Sequence, residues 1–187
     1  MVGNDIVDLA EAKRTSNWER PRFLDKLFTL KEQQFIYNSE LPFQMVWRLW
    51  SMKEAAYKLY VQHHPSRFYN PKGFECNLQN ERGMVKFNDF ECLINTKITT
   101  QYILSEARLR DCKMTSKVIK ICTKNLNTQS EITRSALLKE LSKTYRVSVS
   151  DLKFKKSEFG IPIILFNSED IHVSLSHHGG FGAYAIS

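Results

Sequence analysis

The stretch Trp50-Ser51-Met52-Lys53-Glu54-Ala55-Ala56-Tyr57-Lys58 lies where apolar residues recur every three or four positions. Met45, Leu49, Met52, Ala56 and Leu59 form one stripe, so an amphipathic helix is expected over about 43–63. Trp50 and Tyr57 widen the stripe and are expected in the core. Glu54 and Lys58 are four residues apart and therefore neighbours on the helix surface. Taken alone, such a pair is a surface contact worth ~0.2–0.5 kcal/mol. An acid that can hold a metal beside a base that can hold a phosphate also suits phosphoryl-type chemistry.

Two other segments bear on that choice. Near the N-terminus, Gly3-Asn4-Asp5-Ile6-Val7-Asp8-Leu9 reads as a short buried strand over about 3–8, with Gly3 permitting a tight start. Asp5 and Asp8 interrupt its apolar run, and carboxylates are unfavourable to bury unless paired or bound to a cation. Asp8 also suits the cap of a helix starting near Leu9, an explanation that serves Asp5 less well. Near the C-terminus, Ile171, Val173 and Leu175 alternate with polar residues, the period of a half-buried strand. Ser176 and His177 sit where this strand meets the Gly179-Gly180 turn. A hydroxyl, an imidazole and nearby N–H groups offer a grip on phosphate; the plain alternative is a solvent-facing histidine pair and an ordinary turn.

Helical patterns are expected at 9–17 and 21–38, where Pro21 suits a first turn and Phe23, Leu24, Leu27 and Leu30 have roughly helical spacing. Leu41-Pro42 breaks the chain, and Pro65 and Pro71 bound an exposed loop. Met84–Phe87, Phe90–Ile94 and Tyr102–Leu104 read as strands of an antiparallel sheet. The polar Thr123–Asn127 stretch marks a boundary, and Thr128-Gln-Ser-Glu131 is a capping-box pattern opening a helix that ends near Tyr145. Strands around 152–156 and 162–166 lead to the serine–histidine strand and a last strand at 181–187. The expected class is α+β, helices packed on antiparallel sheets. Residues 1–187 form a single domain, or two lobes at 1–123 and 124–187.

With 187 residues, 42% hydrophobic and 25% charged, the composition is that of a globular protein. No apolar run approaches the ~18–20 residues that span a bilayer, and the N-terminus lacks the basic-then-apolar pattern of a signal peptide. Cys76, Cys92, Cys112 and Cys122 are scattered, which favours reduced thiols in the cytoplasm. The net charge of +7 would attract nucleic acid, membrane lipid, a phosphorylated cofactor or an acidic protein. There is no zinc-finger spacing, RNP-like motif or long basic block, and Lys153, Lys155 and Lys156 read as a solvated strand face. Neither nucleic acid nor membrane is therefore expected as a partner.

Together the three segments resemble the 4'-phosphopantetheinyl transferase superfamily. Gly3-Asn4-Asp5 looks like its Gly-x-Asp motif, residues 50–58 match Trp-x-x-Lys-Glu-Ala-x-x-Lys without a gap, and 174–177 look like its Ser-His motif. Gly160-Ile161-Pro162 resembles the Gly-x-Pro turn that precedes the last. The motif order is that of the short holo-acyl-carrier-protein synthases, which assemble as trimers. Trp50-Ser-Met-Lys53 looks more like the larger surfactin-type enzymes, and the chain is long for the short class. It thus resembles a divergent or permuted-looking member.

The resemblance implies Mg2+-dependent (or Mn2+-dependent) transfer of the phosphopantetheine arm of coenzyme A to a serine of an apo-acyl or peptidyl carrier protein, releasing 3',5'-ADP. Fatty-acid, polyketide and peptide-synthesis carriers all present such a serine. By motif match Asp5 and Glu54 are metal ligands, with Asp8 a third, direct or through water. Asp8 stands where the short enzymes have a glutamate, whereas the larger type has its second acid at the equivalent of Val7. Glu54, or a metal-bound water, is the implied base. Lys58 would hold the diphosphate and the leaving oxygen, and Asp5, Glu54 and Lys58 form the catalytic set. Ser176 and His177 would hold coenzyme A phosphates, with His178 a neighbour only. Lys53 would contact phosphate or orient Glu54, and Lys13 and Arg14 fall near a basic phosphate-binding position. The serine–histidine and acidic motifs meet between subunits in the short enzymes and within one chain in the larger ones, so a monomer and a homo-oligomer both remain open. The alternative within the same resemblance is an inactive homologue that binds coenzyme A or a carrier protein.

Overall fold

The computed structural model describes residues 1–187 apart from positions 69, 81 and 111. Position 69 falls in the loop read between Pro65 and Pro71, so that part of the loop lies outside the described residues. Strand β1 (Val2–Asp8) runs directly into α1 (Leu9–Thr15). The change of direction is fixed by Asp8, whose Oδ1 accepts the N–H groups of Ala10 and Glu11 at 2.9 and 3.1 Å.

The expected helix over 21–38 is in fact two, α2 (Phe23–Leu27) and α3 (Leu30–Tyr37). Phe28 and Thr29 are extended between them, and Thr29 opens α3 with a capping box to Glu32. The break turns Leu30 outward to 76% exposure, while Phe28 and Ile36 enter the core. Helix α4 (Pro42–His63) follows, with proline in its first turn. Four strands come next: β2 (Glu75–Gln79), β3 (Arg82–Phe87), β4 (Phe90–Ile98) and β5 (Tyr102–Arg108). They are followed by β6 (Thr115–Lys120), α5 (Leu126–Tyr145), β7 (Lys153–Lys156), β8 (Pro162–Phe166), β9 (Glu169–His178) and β10 (Phe181–Ile186). Helix α5 starts before the capping-box pattern at Thr128, because Asn125 takes the cap and accepts the Thr128 N–H at 3.1 Å.

The fold is α+β with two antiparallel five-stranded sheets, ordered β1-β5-β4-β3-β2 and β6-β10-β9-β8-β7. Strand β6 belongs to the second sheet although it precedes residue 123, so the change of sheet falls between β5 and β6. The alternating faces of the strands build four layers. Helix α4 covers the first sheet through Leu49, Met52, Ala56 and Leu59 on Val7, Ile94 and Ile103. Helix α5 covers the second through Leu137 and Leu141 on Ile164, Ile171 and Val173. Between the sheets lies a smaller cluster of Ile6, Leu104, Phe181 and Ala183. No described helix is long and apolar enough to cross a membrane.

Strand β1 lies against both α4 and β9. Its approach to α4 is backbone to backbone: a Cβ on Gly3 would collide with the Ala55 carbonyl oxygen and stand 2.9 Å from the Leu59 nitrogen. β1 is also an edge strand, whose outward N–H and C=O groups need partners. Side chains supply them. Gln62 bonds both groups of Val2, Lys58 donates to the Asn4 carbonyl, Ser174 accepts the Asn4 N–H, and His178 Nδ1 accepts the Asp8 N–H. Gly3→Ala is therefore expected to destabilise the protein by about 1–3 kcal/mol, as overpacking does. The check is a urea melt with a lowered midpoint and an unchanged slope.

Candidate active site

Side chains alternate along a strand, so Gly3, Asp5 and Val7 share the face that meets α4. Lys58 Nζ lies 2.9 Å from Asp5 Oδ1 and 2.9 Å from the Asn4 carbonyl. Glu54, one turn earlier on the same side of α4, completes the group. Burial pushes its carboxyl up to about 7, the neighbouring Asp5 charge adds to the rise, and Lys58 opposes it. Burial also raises Asp5, with Lys58 pulling it back. Two carboxylates that raise one another's proton affinity favour a divalent cation between them. Mg2+ takes hard oxygen ligands from one or two carboxylates plus substrate phosphate, so Asp5 and Glu54 fit it. Among the described residues, no three His, Cys, Asp or Glu side chains gather at metal-binding spacing, so the protein offers a pair and not a cage.

Asp8 does not join that pair. Three residues beyond Asp5, it is turned to the opposite face of β1. Its Oδ1 caps α1 and its Oδ2 accepts the Gly180 N–H at 2.8 Å, which ties β1 to the turn after β9. Gly179 is left-handed there (φ 55°), and a Cβ on it would strike the Asp8 carboxylate. The position that shares the Asp5 face is Val7, which is buried hydrocarbon.

Lys53 is anchored away from Asp5 and Lys58 as well. It is 1% exposed, and its ammonium meets Glu32 Oε1 at 2.8 Å, the Pro71 carbonyl at 3.0 Å and the Phe74 carbonyl at 2.6 Å. The two carbonyls take hydrogen bonds and Glu32 supplies the counter-charge, which holds the ammonium in place. Glu32 is equally buried and accepts the Cys76 N–H at 2.7 Å. The pair ties α3, α4 and the 71–76 segment together, and this segment walls a cavity of about 160 Å3 lined by Glu54, Tyr57, Phe68, Asn70 and Phe74. Sequence reasoning missed Glu32, although Thr29-x-x-Glu32 is a capping-box spacing that marks it.

Ser176 and His177 lie on opposite faces of β9. Ser176 turns toward β1 with Ser174 and His178, is buried, and its Oγ has no partner among the described residues. His177 turns toward α5, where Nδ1 stands 3.0 Å from Gln129 Oε1. Burial lowers the His177 pKa, and so do the charges of Lys58, His178 and Lys156, which places the ring among cations. A second cavity, about 180 Å3, is lined by Tyr57, Lys58, Ser174 and the Gly160-Ile161-Pro162 turn, with Gly160 at φ 80°. Tyr57 lines both cavities. Arg14 is exposed and bonded to Glu11 at 2.5 Å, and Lys13 lies in the last turn of α1.

Two outcomes are expected. Glu32→Ala leaves the Lys53 charge buried without a counter-ion and destabilises the protein by about 3–5 kcal/mol. Adding Lys53→Met should restore most of that loss, read from thermal melts. The folded Glu54 carboxyl is pushed up to about 7 from an ordinary 4.5, so between those values the folded state binds the extra proton. With a chelator present, stability is highest on the acid side and falls as pH rises through that window, no more steeply than roughly 1.4 kcal/mol per pH unit. Glu54→Gln should flatten the slope, read as the difference between the two proteins' stability curves.

The model of the 4'-phosphopantetheinyl transferase superfamily matches residues 1–122, which include Gly3, Asp5, Glu54 and Lys58 but end before β9. No curated protein matches the chain. Among solved structures, Helicobacter pylori holo-[acyl-carrier-protein] synthase in complex with coenzyme A is 14% identical over 100% of this chain and 97% of that one, with a TM-score of 0.27. The family match spans well over half of the sequence and contains the acidic pair with its lysine: the chain belongs to the 4'-phosphopantetheinyl transferase superfamily.

Proposed function

We propose that the protein transfers the 4'-phosphopantetheine moiety of coenzyme A to a serine of an apo-acyl or peptidyl carrier protein in the cytoplasm, releasing 3',5'-ADP, with Mg2+ held by Asp5 and Glu54. The observation that carries this reading is the meeting of Asp5, Glu54 and Lys58 where β1 lies against α4. Bound there, the cation would neutralise charge on the diphosphate. Glu54, or a water on the cation, is the base suited to take the proton of the attacking serine hydroxyl. The serine oxygen forms its bond to the β-phosphorus as the bond from that phosphorus to the bridging oxygen breaks. Lys58 uses two donors on Asp5 and Asn4 and has one left for the leaving oxygen. His177, among Lys58 and Lys156, is suited to a coenzyme A phosphate.

The packing of β9 against β1 within one chain supports a site complete in a single subunit, in one transferase domain of two lobes. The basic surface, net +7, suits both a polyphosphate substrate and an acidic carrier. The test is intact-mass analysis of several apo-carrier proteins incubated with the protein, coenzyme A and Mg2+. One added phosphopantetheine is expected, abolished by chelator and reduced at least ~10²-fold by Glu54→Ala, the scale of a lost general base. Coenzyme A binding with no transfer to any carrier would instead favour an inactive binding homologue.

A further inference from the structure

Gln129 takes no part in the chemistry above, yet it is 2% exposed and every polar atom of its side chain is engaged. Its Nε2 donates to the Thr123 carbonyl at 2.8 Å and to the Gly179 carbonyl at 3.0 Å. Both partners only accept, so the amide nitrogen must face them and the amide oxygen must face His177. At 3.0 Å from that oxygen, Nδ1 of His177 has to be the nitrogen that carries hydrogen, and Nε2 is the nitrogen left for a ligand. The next ring is held the other way. His178 Nδ1 lies 3.0 Å from the Asp8 N–H, which only donates, so its Nδ1 is bare and the neutral ring carries hydrogen on Nε2. Adjacent imidazoles on opposite faces of β9 are thus fixed in opposite tautomers.

We propose that Gln129 is a positioning residue for His177: it holds the ring by Nδ1–H so that Nε2 faces outward to meet an anionic phosphate oxygen of the substrate. The inference rests on the reading that His177 holds a coenzyme A phosphate. A neutral amide oxygen serves this purpose in both states of the ring. It accepts from Nδ1–H when the imidazole is neutral, and again when Nε2 gains a proton and donates to phosphate. Because the same amide bonds Gly179 and Thr123, it also ties the ring to the turn after β9 and to the start of α5.

The test uses the full chain labelled with 15N in its histidine rings. Two-bond 1H–15N correlation spectra read the tautomers, and calorimetry reads coenzyme A affinity, for the wild type, Gln129→Met, His177→Ala and the double variant. His177 in the wild type should show hydrogen on Nδ1 and His178 on Nε2, a result that needs no variant to fold. Gln129→Met should leave His177 a mixture of tautomers and raise the Kd for coenzyme A roughly 3–10-fold, the worth of one hydrogen bond. The double variant should bind no more weakly than His177→Ala. Hydrogen on Nε2 of wild-type His177, or an unchanged tautomer and Kd in Gln129→Met, would overturn the proposal. If the tautomers are as expected but His177→Ala binds coenzyme A like the wild type, the hold of Gln129 on the ring stands and the phosphate reading of His177 falls.

Discussion

The contact between Gly3 and the Ala55 carbonyl sets the distance on which the site depends. Any side chain at position 3 would lift β1 from α4, and the carboxylate of Asp5 would then leave the Lys58 ammonium. Gly3 is thereby explained as a spacer: it lets β1 approach the α4 backbone and so brings Asp5 to Lys58. Glycine is needed here for want of a Cβ and not for an unusual backbone angle, since β1 is ordinary extended strand at this position.

The same closeness solves a second problem. β1 ends its sheet, and an exposed strand edge invites wrong pairing. Here the edge is covered by side chains from α4 and β9, among them Lys58, Ser174 and His178. Lys58 therefore holds the fold and the site at once, through the Asn4 carbonyl and the Asp5 carboxylate. That double use fixes the ammonium in advance, so a phosphate bound there as proposed would need less ordering.

Where one period governed a segment, the sequence alone was enough. The stripe on α4 and the alternation of β9 mark a buried face, the apolar run of β1 marks a strand buried on both faces, and the structure has all three elements. Boundaries set by single polar side chains were harder. Thr29 splits one expected helix into two by capping the second, and Asn125 takes the cap expected of Thr128. β6 has only Val118 and Ile119 as apolar residues, and they are adjacent and so face opposite ways, which leaves its pairing with β10 to reveal its sheet. Glu54 and Lys58 were legible as neighbours through their spacing and Asp5 only through its likeness to a family motif, but the partners of Lys53 were not legible at all. The Pro71 and Phe74 carbonyls that bury it are backbone groups, which no residue type announces.

Side-chain direction decides the rest. Adjacent residues in a strand face opposite ways, so a serine–histidine pair cannot grip one ligand from one face of β9. Ser176 turns toward β1, and His177 turns toward α5 and the amide of Gln129. Asp5 and Asp8 part by the same rule, one to the lysine of α4 and the other to the cap of α1 and the Gly180 N–H. What looks in sequence like one pair of acids becomes in space two separate groups: Asp5 on Lys58, and Asp8 tying β1 to the turn after β9. On β9 the two-residue period parts His177, held by Gln129, from His178, whose ring accepts the Asp8 N–H and holds the sheets in register.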